Sequence, residues 1–118
     1  MQVSKKQINK NLEKEIFQIL YQLIVDLKNP EESKVFLEDI LGKNETIALA
    51  KRLAVAYYLS HSRSYENIKQ NLKVSSATIS TIDKAKNSKG FELALKKIEA
   101  EKWASHWSEK IEGLFKRK

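Results

Sequence analysis

Residues 65–87 read YENIKQNLKVSSATISTIDKAKN. Apart from alanines and Tyr65, the apolar residues in this run are Ile68, Leu72, Val74, Ile79 and Ile82. Ile68 and Leu72 stand four apart, as one face of a short helix requires. Val74 comes two residues later, in a turn. Ile79 and Ile82 stand three apart, on one face of a second helix. Two apolar pairs with a plug between them pin two short helices into a helix-turn-helix. Two positions depart from the usual pattern: Lys69 stands where alanine is common, and Lys73 where glycine is common. Lys73 has either to adopt a left-handed backbone, at about 1 kcal/mol, or to sit in a different turn.

With Ile79 and Ile82 inward, helical geometry sends Ala77, Ser80, Thr81 and Lys84 outward, flanked by Ser76 and Thr78. This face is small, polar and unhindered. Hydroxyls can bond base edges in a major groove, and alanine or threonine methyls can touch thymine. The helix N-terminus favours phosphate. Arg63, Lys69, Lys73, Lys84, Lys86 and Lys89 are the candidates for backbone contacts. Charge points the same way. The chain carries a net +7, and residues 63–90 hold six Lys/Arg against two Asp/Glu, whereas residues 31–62 hold four against five. A basic surface serving only solubility is the plain alternative. The hairpin pattern and the local charge together favour double-stranded DNA as partner.

The rest of the chain reads as helix. Proline occurs once, at Pro30, and glycine three times, at Gly42, Gly90 and Gly113. Residues 5–29 place Ile8, Leu12, Ile16, Leu20, Leu23 and Leu27 at steps of three and four, and Phe17, Ile19 and Ile24 widen the stripe. So wide an apolar face on so small a chain predicts packing against a second subunit. Pro30 suits the first turn of a second helix, with Glu31 and Glu32 at its positive end and Gly42 closing it. A third helix spans 44–61, with Asn44 or Thr46 as cap and Ile47, Leu49, Ala50, Leu53, Ala54, Tyr57 and Tyr58 inward. Ser64 caps the first helix of the hairpin. A last long helix from Phe91 carries Leu95, Ile98, Trp103, Trp107, Ile111 and Leu114, the tryptophans serving as packing anchors. The expected architecture is all-α with six helices: one domain over 1–118, the helix-turn-helix at about 64–87, and dimerisation helices at about 5–61 and 89–114.

Several chemistries are excluded. With 118 residues, one domain is expected. The absence of cysteine removes disulfide and thiolate chemistry, and His61 and His106 are too few for a zinc site of the usual kind. Ser75, Ser76 and Ser80 lack a triad-like histidine and a nucleophile elbow, so an enzyme is not expected. No apolar run has the length of a signal peptide or membrane span, and the Asn44-Glu45-Thr46 sequon is empty without secretion. The expected location is the cytoplasm, with no membrane, metal or cofactor.

The arrangement resembles the Trp repressor superfamily. The resemblance runs over roughly residues 16–100 and is most specific at 36–89, in "DIL", "NETIALAKR", "YENIKQNL" and "ATIS". Lys69 also matches, since that family has lysine there. The resemblance implies a six-helix fold and an intertwined homodimer. It also implies two recognition helices set roughly 34 Å apart on a palindromic operator. It implies a transcriptional repressor.

The positions that hold tryptophan in the responsive members fall here on Gly42, Arg52, Thr81, Ile82 and Ala85. Of these only Arg52 keeps the family residue, and a helix-face ion pair with Glu45 or an acidic neighbour explains it as readily. The expectation is a regulator without tryptophan as corepressor, its small-molecule effector, if any, unspecified. The competing reading is a helical adaptor that presents its basic face, and the tail "FKRK", to an acidic protein or a membrane surface.

Overall fold

In the computed structural model the chain is described at residue 3 and over 6–116, with side chains described as far as Lys102. Six helices follow one another: α1 (Lys10–Asp26), α2 (Pro30–Leu41), α3 (Lys43–Ser60), α4 (Tyr65–Leu72), α5 (Ser76–Ala85) and α6 (Lys89–Lys116). No strand occurs among the described residues. The fold is all-α, as expected. The predicted face of Trp103, Trp107, Ile111 and Leu114, and His106, lie outside the described side chains. Arg117 and Lys118 of the tail lie outside the described residues. The chain divides by its packing into two units, 1–46 and 47–118.

In the first unit the helix ends follow from their caps. The periodic pattern predicted a helix from about residue 5, but α1 begins at Lys10. Asn9 captures the first-turn donors, its Oδ1 accepting from Asn11 N at 2.8 Å and Leu12 N at 3.4 Å, and Ile8 falls outside the helix. At α2, Asn29 Oδ1 accepts from Glu32 N at 2.9 Å, and Glu32 Oε1 accepts in return from Lys28 N at 3.0 Å. This reciprocal pair is a variant of the capping box, with Pro30 in the first turn. Gly42, at φ 90°, ends α2. The next helix starts at once, so neither Asn44 nor Thr46 is its cap: both lie inside α3, and the Thr46 hydroxyl donates to Gly42 O at 2.8 Å. No residue of α1 or α2 is buried. Ile16 is 47% exposed and Ile24 52%, values of a face rather than a core.

The second unit holds the core. Val55 and Ala56 of α3, Ile68 of α4, and Ile79 and Ile82 of α5 are buried. Tyr58, Leu59, Leu72, Val74, Phe91 and Leu95 pack around them. Burying each large aliphatic side chain contributes about 1.5–3 kcal/mol. All five residues of the hairpin pattern therefore meet in one cluster. The inward face expected for α3 is met only in its last turns, where Tyr58 packs on this cluster and Ala54 and Tyr57 are half-buried. Ile47, Leu49 and Leu53 are exposed, and the buried side turns on Val55 and Ala56 instead. The large side chains drew the expectation, but the close approach of α4 and α5 selects small and β-branched ones.

α3 ends in a Schellman motif: Ser62 takes φ 60°, its N–H donates to Leu59 O at 3.1 Å, and Arg63 N donates to Tyr58 O at 3.1 Å. Ser64 then caps α4, its hydroxyl accepting from Asn67 N at 3.1 Å. α6 begins at Lys89, two residues before Phe91.

Candidate nucleic-acid interface

The turn between α4 and α5 is built around Lys73. It lies in the left-handed region, φ 55° and ψ 52°, the first of the two alternatives for a lysine at this point. Val74, half-buried, drops into the core, and Ser75 opens α5. The Ser75 hydroxyl accepts from Thr78 N at 3.1 Å and donates to Thr78 Oγ1 at 3.0 Å. This cap fixes the first turn of α5 and leaves the N–H groups of Ser76 and Ala77 without an acceptor among the described residues.

The expected reading face is largely open. Ser76, Ala77, Thr78, Thr81 and Lys84 are exposed. Ser80 is half-buried and so less open than the helical wheel implied. Thr81 Oγ1 donates to Ala77 O at 3.0 Å, which holds the hydroxyl in place while its oxygen stays able to accept. Ile79 and Ile82 seat this face on the core.

The basic candidates divide into two sets. Lys69, Lys73 and Lys84 have no ion pair among the described residues. Lys86 is engaged, its Nζ lying 2.8 Å from Asp83 Oδ1. Asp83 Oδ2 in turn accepts from Tyr65 Oη at 2.8 Å, tying the first residue of α4 to the far end of α5. The Lys86 ammonium, then the Tyr65 hydroxyl, hold the Asp83 carboxyl below its ordinary range. The same carboxylate, with some desolvation, pushes the Tyr65 phenol up. Arg63 is also engaged: its guanidinium sits 4.5 Å from the centroid of the Tyr58 ring, and Nη1 donates to Asn67 Oδ1 at 3.1 Å.

A cleft of about 360 Å³ opens beside this turn. Ala48, Lys51 and Arg52 of α3, Lys73 and Val74 of the turn, and Ser75 and Thr78 of α5 line it. Lys51, Arg52 and Ser75 were not among the expected interface residues. Arg52 carries a signal in the sequence, as the one match to the family's tryptophan-holding residues, whereas Lys51 carries none by itself. Among the described residues Arg52 forms no ion pair with Glu45 or with another acidic neighbour. Of the five positions matching the family's tryptophan site, Arg52 alone lines the cleft. Thr81 is exposed, Ala85 is half-buried, and Ile82 is committed to the core. Among the described residues no cluster of His, Cys, Asp and Glu could hold a metal, and no helix is long and apolar enough to cross a membrane.

Residues 15–99 match the family described as Trp repressor protein. YerC of Bacillus subtilis strain 168, named an uncharacterized protein, is 36% identical over 94 residues, which cover 78% of this chain and 89% of that protein. The crystal structure of a TrpR-like protein from Eubacterium eligens ATCC 27750 superposes with a TM-score of 0.69 at 30% identity, covering 77% of this chain and 96% of that one. With sequence and fold agreeing over most of its length, the chain belongs to the Trp repressor family, one of regulatory DNA-binding proteins rather than enzymes.

Proposed function

We propose that this protein is a sequence-specific double-stranded DNA-binding regulator, a repressor acting as a homodimer on a palindromic operator. The observation that carries this reading is α5 itself. A small, polar, largely exposed face is held on the core by the buried Ile79 and Ile82, beside Lys69, Lys73 and Lys84, which have no ion pair among the described residues. Such a face enters a major groove, and the cations neutralise phosphates on either side. The whole chain acts as one module. Residues 64–87 read the duplex, and the flanking helices, 5–61 and 89–114, pair two copies.

Tryptophan is not its corepressor. Ile82 fills the core where the responsive members have glycine, and Thr81 and Ala85 lack the groups that hold the amino acid. Calorimetry with L-tryptophan is expected to give no saturable heat; micromolar binding would overturn this part of the reading.

Selection of bound duplexes from a random pool tests the central claim. One palindrome should be enriched, and its affinity should fall steeply with salt. Thr81→Asp and Lys84→Glu should each abolish that binding while leaving the helical spectrum intact. A protein bound equally by all duplexes, or one bound by acidic proteins and vesicles but not by duplex, would be an adaptor instead.

A further inference from the structure

We propose that the cleft between α3 and the α4–α5 turn is a seat for a phosphoryl group. Its volume, about 360 Å³, lies in the range of small-molecule sites, about 300–1,000 Å³. Three cationic residues, Lys51, Arg52 and Lys73, line it, and no carboxylate does. None of the three is ion-paired elsewhere among the described residues. A concave wall with three like charges and no counter-charge focuses a positive potential and leaves their repulsion unrelieved until an anion arrives. Ser75 and Thr78 add two hydroxyls and bring the first turn of α5 to the same wall.

The charge count selects the anion. A monovalent carboxylate would leave most of the positive charge unmatched. A phosphoryl group offers more oxygens and up to two charges, and guanidinium and ammonium groups recognise it by charge-assisted hydrogen bonds. The group has two possible sources, a phosphate of the duplex backbone or a free phosphate-bearing molecule. The seat does not depend on the DNA reading; its use by a duplex does. The cleft shares only Arg52 with the tryptophan positions; Gly42, Thr81, Ile82 and Ala85 do not line it.

The test begins without DNA. Amide spectra of the full chain are followed while inorganic phosphate replaces chloride at constant ionic strength. Saturable shifts are expected at Ser75 to Thr78 and at Lys51 and Arg52. Lys51→Gln with Lys73→Gln should weaken them by at least roughly tenfold. Lys96→Gln with Lys97→Gln removes the same charge outside the cleft and should leave them unchanged. If the first double variant fails to fold, Lys73→Gly serves, because it removes a charge and relieves the left-handed backbone together. Shifts that never saturate, or that both double variants weaken equally, overturn the proposal.

A second arm identifies the source. Where the occupant is a backbone phosphate, inorganic phosphate competes with the selected duplex beyond the chloride control. The cleft variant then loses about one unit of slope in log affinity against log salt. Where the occupant is a free molecule, phosphate binds without competing and the slope stays. Saturable phosphate binding in a protein that binds no duplex would keep the seat and remove the DNA reading. Specific duplex binding with no phosphate response would do the reverse.

Discussion

Single residues carry separable duties in the hairpin. Ile68 is fully buried between α3 and α5, so Ile68→Ala should cost about 2–5 kcal/mol in urea unfolding. Thr81→Ala, on the open face, should stay within about 0.5 kcal/mol. Asp83 adds a pH dependence with a definite sign. Its carboxyl is depressed in the folded protein, so its contribution is present above the unfolded value and is lost as pH falls through the folded one. Tyr65 is raised, so its contribution is lost only as pH climbs past the ordinary tyrosine range. Melting curves should therefore show a constant stability gap between wild type and Asp83→Asn across neutral pH, closing below about pH 4. The core pins were legible because five apolar residues in a polar run have only one good use. The Tyr65–Asp83 tie was not, because two exposed polar residues 18 positions apart leave no periodic mark. Lys51 and Arg52 were missed for the same reason: their meaning depends on a turn more than twenty residues away.

At the level of elements, type was easier to read than limits. Apolar spacing fixed the existence of all six helices, and Ser64, Pro30 and Gly42 marked ends that the structure keeps. The start of α1 was misjudged because Asn9, one polar residue in a polar stretch, decides it. The buried side of α3 was read in part: Tyr58 packs on the core as expected, but size favoured Ile47, Leu49 and Leu53 over Val55 and Ala56. Caps can be weighed directly. Ser75 satisfies an otherwise open donor of α5, so Ser75→Ala should cost about 1 kcal/mol in thermal or urea unfolding. Because Ser75 also lines the cleft, the same substitution should weaken phosphate binding, whereas Ser64→Ala should cost similar stability and leave phosphate binding unaffected.

For the whole molecule, the apolar face of α1 sets the expectation. Leu12, Ile16, Phe17, Leu23 and Ile24 are all at least two-fifths exposed, far beyond what a soluble helix gains from exposure. The proposed homodimer covers them. Light scattering at micromolar concentration should give about twice the chain mass, and the melting temperature should rise with concentration. A particle of 13.7 kDa with a concentration-independent transition would remove the dimer.

The helix proposed to pair the chains and the helix proposed to read the duplex are different ones, with a genetic consequence. A copy bearing Thr81→Asp keeps α1 intact and still recruits normal chains. Made in equal amounts, the two kinds would leave roughly one quarter of pairs with both reading helices sound. Such an allele would act dominantly over the normal one, whereas an allele truncated before α1 is complete would be recessive.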